Sequence, residues 1–382
     1  MSTKPEELNI ALIGAGGRGV NVTALWMEAA PGRVRVTRIY DPDPESVRRA
    51  LNRWPDSGIR PAKTLEEAVS APEVNLVMIF TPNRYHCEGI LAALAAGTRV
   101  FSEKPLATTL EDCRRIVAAE KRAGLRIMTG FVLRYDPIYR KVKELLDSGG
   151  FGTILSIAAS ENRESFGGGA SMSSSHGWRR FTGEGGPYLL EKCSHDLDIF
   201  NWFAGCMPIR AAAFCGLDYF VPRNEALYDK LGHETFSAWV PKEWRINPFT
   251  SPKDIFDNHT VILEYPNGIK LNFQLTLANA LPERRMYLSC SEGTIIMDHH
   301  TKTLRYKRYL DEYETILRFP GGEGGHILAD TAMAKELVAS LLAGKDHSCS
   351  GSVNGLACAR VALAAHESAL TGRIVAIEDR LE

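Results

Sequence analysis

Along the first third of the chain, short strand-like segments alternate with longer stretches in which apolar residues recur at helical spacing. Residues 8–13, 34–40, 74–80, 98–101 and 126–131 read as strands, and residues 74–80, apolar but for Asn75, have the pattern of a strand buried on both faces. Thr64 with Glu67, and Thr108 with Glu111, have the spacing of capping boxes that open helices. Strand and helix in strict alternation predict a parallel, doubly wound sheet.

Beyond residue 131 the pattern changes. Residues 138–146 carry helical spacing after the break at Pro137, residues 153–160 read as a strand, and residues 185–202 read as one helix. Residues 216–258 are rich in aromatics and prolines and have no period, which predicts an irregular excursion. From residue 259 onward, apolar and polar residues alternate on both sides of Pro266, Asn267 and Gly268, the signature of a hairpin. Residues 286–290, 294–297 and 304–309 extend that antiparallel sheet, a glycine-rich turn follows at 320–325, and residues 327–342 and 354–370 are helical. The fold class is therefore α/β, with a dinucleotide-type domain over residues 1–130. A second α/β domain, built on a mainly antiparallel sheet, occupies residues 131–382 and is expected to bind substrate and to oligomerise.

Composition narrows the function. With 45 basic and 46 acidic side chains the formal charge is −1, which provides no electrostatic footprint for nucleic acid or an anionic membrane. Eight cysteines without a C-x-x-C pair argue against both a zinc knuckle and a disulfide framework. His299 and His300 are adjacent and point to opposite sides of a strand or turn, so no metal is expected there. Residues 1–9 lack the apolar core of a signal peptide and no apolar run approaches a membrane span, so the expected location is the cytoplasm. A small uncharged molecule is the partner that fits.

The chemistry of the first domain lies at its strand ends. Residues 8–13 run into Gly14, Ala15, Gly16, Gly17, Arg18 and Gly19 and then into a helix, the G-x-G-x-x-G pattern in its required context. The first glycine permits the turn, the second lets backbone approach a pyrophosphate, and the third lets helix pack on strand. Asp41 ends the second strand, where a carboxylate accepts from both ribose hydroxyls and repels a 2′-phosphate; NAD is expected over NADP. Asp43 before Pro44 fills the helix-capping role that would otherwise explain Asp41. The third run ends in Thr81, Pro82, Asn83, Arg84, Tyr85 and His86, and the fourth in Glu103, Lys104 and Pro105, all on the same predicted ligand-bearing edge. Lys104 read alone is a solvated lysine; beside these neighbours it is a primary amine aimed at a cofactor crevice.

In the second domain Glu191, His195 and Asp198 fall on one face if residues 185–202 are helical, so that a carboxylate can orient an imidazole acting as general base. The alternative is a solvated charged face. Arg134 opens the domain, the strand at 153–160 delivers Asn162 and Arg163, and a glycine- and serine-rich loop at 165–177 delivers Trp178 and Arg179, an aromatic face beside guanidinium groups suited to a sugar ring.

The three strand-end motifs, in this order, resemble the glucose–fructose oxidoreductase, inositol dehydrogenase and MocA-like (Gfo/Idh/MocA) family. The resemblance implies an N-terminal Rossmann domain, a large open C-terminal sheet and Lys104 beside the nicotinamide. It also implies a cofactor site of Gly14, Gly16, Gly17, Arg18, Gly19, Asp41, Thr81, Pro82, Asn83, His86, Glu103 and Lys104. His195 and Asp198 match the family's helix signature directly, whereas Glu191 stands where most members have aspartate and Cys193 where they have glycine. The activity implied is NAD-dependent hydride transfer at a hydroxyl-bearing carbon of a sugar, sugar derivative or cyclic polyol, by a homodimer or homotetramer. Two alternatives share the fold: a redox-neutral lyase or glycoside-cleaving enzyme that oxidises its substrate transiently with bound NAD, and a dinucleotide-sensing regulator.

Overall fold

The computed structural model describes residues 6–55, 57–165, 169, 171–237, 240–320, 327–345 and 348–378. Residues 166–168 and 170 of the glycine- and serine-rich loop, and 321–325 of the glycine-rich turn, lie outside the described residues. The chain divides into two compact units, the first built from residues up to Asp136 with a return of the chain at 327–359, the second from Pro137 to the turn near 320 and from Arg360 onward. The break thus falls six residues past the expected boundary at 130, and the 327–359 segment clusters with the first unit because its apolar face belongs to that core.

The first unit is a six-stranded, all-parallel sheet. Its strands are β1 (Leu8–Ile13), β2 (Val34–Tyr40), β3 (Arg60–Pro61), β4 (Leu76–Ile79), β5 (Arg99–Ser102) and β6 (Ile127–Thr129), in the order β3-β2-β1-β4-β5-β6. That order reverses direction between β1 and β4, the point at which open α/β sheets bind ligands. The apolar runs are strands because both faces are covered: Leu12, Val36, Met78 and Phe101 are buried, and Trp26 of the Gly17–Ala29 helix packs edge-on against Phe101 at 5.2 Å. Met333, Leu337 and Leu341 of the Ile327–Leu342 helix close the same core.

The second unit is a nine-stranded mixed sheet of β7 (Ile154–Glu164), β8 (Arg210–Gly216), β9 (Asn258–Glu264), β10 (Lys270–Asn279), β11 (Glu283–Cys290), β12 (Gly293–Asp298), β13 (Thr303–Arg308), β14 (Thr315–Arg318) and β15 (Val375–Ala376). All pairs are antiparallel except β7 with β10, and the order is β14-β13-β12-β11-β7-β10-β9-β8-β15. The alternation read at 269–277 is observed: Leu271, Phe273, Leu275 and Leu277 are buried and the residues between them point away. The excursion at 216–258 is irregular yet has its own small core, in which Phe220, Phe236 and Phe249 meet at ring separations of 5.2–6.2 Å. Asp257 fixes its base by accepting from the amides of Asp218, Tyr219 and Phe220.

One expectation fails. Residues 185–202 are two helices, Tyr188–Glu191 and Ser194–Ala204, separated at Lys192 and Cys193. Backbone bonds still run from Lys192 to Tyr188, from Cys193 to Leu189 and from Leu197 to Cys193, so the chain keeps its direction through the break, and Lys192 at the break lies 3.6 Å from the buried Glu161 of the sheet.

Candidate active site

In the first unit the glycine loop follows β1. Gly14 has φ of +91°, and a Cβ there would lie 2.6 Å from the Phe80 carbonyl carbon, so both its conformation and its surroundings demand glycine. A Cβ on Gly19 would lie 2.3 Å from the Gly14 oxygen. Gly16 and Gly17 are the opposite case: nothing lies within 4 Å of their Cβ positions, and Gly16 caps the Gly17–Ala29 helix without a side-chain acceptor. Open space in front of uncapped amides at a helix N-terminus is a place for an anion, and it fits the pyrophosphate of a dinucleotide. Asp41 is locked at the end of β2, one carboxylate oxygen accepting from the Ala15 amide at 2.8 Å and the other from the Asp43 amide at 2.9 Å. Each oxygen keeps further acceptor capacity for a ribose hydroxyl.

At the next strand ends, Asn83 is buried and Thr81 holds a buried hydroxyl that has no partner among the described residues. Pro82 leads the short Asn83–Tyr85 turn of helix. His86, expected as a donor to the cofactor, is instead fully buried: its ring nitrogens lie 2.7 Å from the Pro105 carbonyl oxygen and 3.0 Å from that of Thr81. It therefore ties the β4 turn to the lysine turn, and burial pushes its pKa down. Lys104 is half-buried, follows β5, and precedes Pro105 through a cis peptide. Its amide donates to Glu103 Oε2 at 3.1 Å. Behind this turn a Cβ on Gly355 would sit 2.5 Å from the Leu106 Cβ, so glycine is what lets the Ser352–Thr371 helix close on it. Arg18 and Glu103, both expected at the cofactor, are bonded to each other, with Arg18 Nε 2.7 Å from Glu103 Oε1. Arg134, expected at the substrate, clusters with the first unit, is buried, and donates to the Cys349 carbonyl at 2.6 Å.

In the second unit Glu191, His195 and Asp198 are all buried. Glu191 accepts from Arg179 Nε at 2.8 Å, and the Arg179 guanidinium lies over the Trp178 ring at 4.2 Å, so the aromatic–guanidinium pair read from the sequence is present and is anchored to the carboxylate. Arg163 donates to the Tyr188 hydroxyl at 3.0 Å. Asn162 accepts from Thr276 at 2.7 Å and donates to Glu283 at 3.1 Å, which places it within the sheet's own polar network.

Beneath the His195 helix lies a buried cluster that sequence reasoning missed. Arg284 of β11 holds Asp196 through two bonds of 2.9 and 2.7 Å and reaches Glu161 at 3.0 Å, while Lys192 lies 3.6 Å from Glu161. Burial works against ionising Glu161, but Arg284 and Lys192 outweigh it and hold the carboxyl below its ordinary range; burial pushes Asp196 up. The signal was available: Arg284 occupies an inward position of an alternating strand, and a buried guanidinium there requires acceptors. Asp330 of the Ile327–Leu342 helix, which accepts from both Nη atoms of Arg18, is the other missed residue, and a carboxylate in that mostly apolar helix points to no particular partner in the sequence.

Residues 8–131 match the family described as "Oxidoreductase family, NAD-binding Rossmann fold", and residues 139–296 match the GFO/IDH/MocA C-terminal domain. An inositol 2-dehydrogenase of Gluconacetobacter diazotrophicus is 37% identical over 162 residues, covering 42% of this chain and 47% of that protein. One from Burkholderia multivorans is 32% identical over 200 residues, covering 52% and 55%. The matches thus span about half the length of these relatives. A levoglucosan dehydrogenase solved with NADH and levoglucosan shares the fold at a TM-score of 0.79 and 20% identity, over 98% of this chain and 100% of that one. Among the described residues no helix is long and apolar enough to cross a membrane. With both halves of the chain matched and the glycine loop and strand-end lysine in their places, the chain belongs to the Gfo/Idh/MocA oxidoreductase family.

Proposed function

We propose that this protein is an NAD-dependent dehydrogenase that oxidises a hydroxyl-bearing carbon of a sugar, sugar derivative or cyclic polyol. The observation that carries the reading is the empty space before Gly16 and Gly17 at an uncapped helix N-terminus, with Asp41 locked beside it as a ribose acceptor. The substrate class rests on the relatives, which are named for inositol and levoglucosan. The nicotinamide, when bound, supplies the hydride acceptor. His195 takes the hydroxyl proton as the general base, and its helix is held by the Asp196–Arg284 pair. Lys104 polarises and orients the reacting oxygen. Asp198, with Trp178 and Arg179, positions the remaining hydroxyls. Asp41 favours NAD over NADP by like-charge repulsion of a 2′-phosphate.

The test is to offer inositols, levoglucosan and simple aldoses with NAD and to follow NADH absorbance together with product. NADH forming in step with product is the expected result. NAD-dependent conversion or glycoside cleavage without NADH accumulation would replace this reading by the redox-neutral one.

A homodimer or homotetramer is part of the proposal. Ile262, Asn272, Ala158 and Tyr287 form one cross-strand row of the nine-stranded sheet, and Ile262 and Tyr287 are 52% and 40% exposed, an apolar face that a second copy would cover. Light scattering of the purified protein decides it, and a monomer would refute it.

A further inference from the structure

Arg18 is the fifth residue of the glycine loop and lies in the first turn of the Gly17–Ala29 helix, where a guanidinium would ordinarily be read as a phosphate ligand. Its surroundings contradict that. Nε and Nη2 lie 2.7 and 2.6 Å from Glu103 Oε1. Nη1 and Nη2 lie 2.6 and 2.8 Å from the two oxygens of Asp330. All three guanidinium nitrogens are engaged, and two carboxylates face one cation, so the trio carries a net negative charge. Its attraction for a phosphate is cancelled by its own partners.

The two carboxylates are well placed to transmit position. Asp330 is 3% exposed on the Ile327–Leu342 helix, whose Ala329, Met333 and Ala334 pack in the same core as Val22 and Trp26 of the loop's helix. Glu103 is 7% exposed, and its second oxygen accepts the Lys104 amide. A continuous bonded path therefore runs from Asp330 through Arg18 to Glu103 and on to the backbone of Lys104. Its planar, two-sided fork fixes orientation as well as distance, which an ammonium group cannot do.

We propose that Asp330 is a positioning residue for dinucleotide binding: it clamps Arg18 against Glu103, so that the glycine-loop amides and the Lys104 turn are held in the one arrangement that receives a pyrophosphate. The inference rests on the dinucleotide reading above. Arg18 supplies shape to the loop, and the phosphates depend on backbone amides.

The sign of one substitution separates this from an electrostatic role. Asp330→Asn keeps the side chain's shape and removes a negative charge. If Arg18 were a phosphate ligand restrained by its carboxylates, the variant would bind NADH more tightly. Positioning makes it bind about tenfold more weakly. Arg18→Lys keeps the charge and loses the fork, so it is expected to weaken NADH comparably, and the double variant to lose little more than either single one. AMP, which lacks the pyrophosphate, should change by less than about twofold in every variant. NADH and AMP are titrated by fluorescence and calorimetry on the full chain, with melting temperatures recorded without nucleotide.

An Asp330→Asn protein that melts lower but binds NADH as the wild type does would overturn the proposal, since Asp330 would then serve stability alone. Tighter binding would overturn it in favour of the phosphate-ligand role. If Asp330→Asn does not fold, Arg18→Lys decides on its own, and wild-type NADH affinity in that protein refutes the clamp. A wild-type protein that binds no NADH would remove the dinucleotide reading and this inference together, whereas failure confined to the variants removes only the inference.

Discussion

Arg179 donates from Nε to Glu191 Oε1 at 2.8 Å, across the break between the loop that carries Trp178 and the short helix that precedes His195. The Glu191 side chain is 6% exposed and that of Arg179 is 46% exposed, so one charge is buried and its partner reaches solvent. The Glu191 carboxylate thus meets a guanidinium carried by the loop.

Arg179→Met should therefore cost more than an exposed arginine usually does, because it takes a charged partner from a buried carboxylate. The expected loss is about 1–3 kcal/mol in urea unfolding, with a fall in turnover. Glu191→Gln retains an acceptor and should cost less. A loss within the scatter of surface substitutions, about 0.5 kcal/mol, would mean that the pair is not formed in solution.

Lys104→Met preserves the stem and removes the amine. NADH affinity should stay within about twofold of wild type while the chemical step slows by about a hundredfold, read by single-turnover kinetics with an identified substrate. Normal turnover would reduce Lys104 to a strand-end charge.

Asp41 has two duties, and they should separate. Asp41→Ala is expected to bring NAD and NADP affinities to within about threefold of each other by removing the repulsion of a 2′-phosphate. Both affinities should also fall, because the Ala15 and Asp43 amides lose their acceptor. Titration of the two nucleotides reads both effects, and an NADP affinity that begins equal to or above that for NAD refutes the assignment.

His259 of β9 is 2% exposed, and burial, with the like charge of His366 adding to it, pushes its pKa down to about 3. The folded value lies below the unfolded one, so the unfolded chain takes up the proton first as pH falls. Stability is then full above about pH 6.5 and is lost progressively toward pH 3, by up to about 4 kcal/mol. His259→Phe, beside Phe256 at 6.1 Å, should flatten that slope in denaturation curves taken between about pH 6.5 and 4. An unchanged slope would assign the acid sensitivity to other groups.

The sequence by itself determined the parallel sheet through five of its six strands, the glycine loop, Asp41 and the strand-end placing of Lys104, because each is written in residues close together along the chain; the two-residue β3 has no such local pattern. An apolar strand pattern or a glycine that must turn needs no distant partner to be legible, and the Thr64 cap was read in the same way, although the next helix is capped by Thr109 through the Asp112 amide, one residue past the expected Thr108. The alternation that builds the antiparallel sheet is of the same kind. What only the tertiary structure decided are the partners of buried charges: Arg18 finds Glu103 and Asp330 at separations of 85 and 312 residues, and Asp196 finds Arg284 at 88. Those pairings changed readings that local pattern had made. Arg18 became a structural tie, as did His86 through the carbonyls of Pro105 and Thr81, and the residues expected as one helix over 185–202 form two helices with a turn at Lys192 and Cys193. The physical reason is that a charge or imidazole taken out of water must be satisfied wherever an acceptor or donor can be found, and which distant side chain supplies it depends on how the elements pack, which no local spacing records.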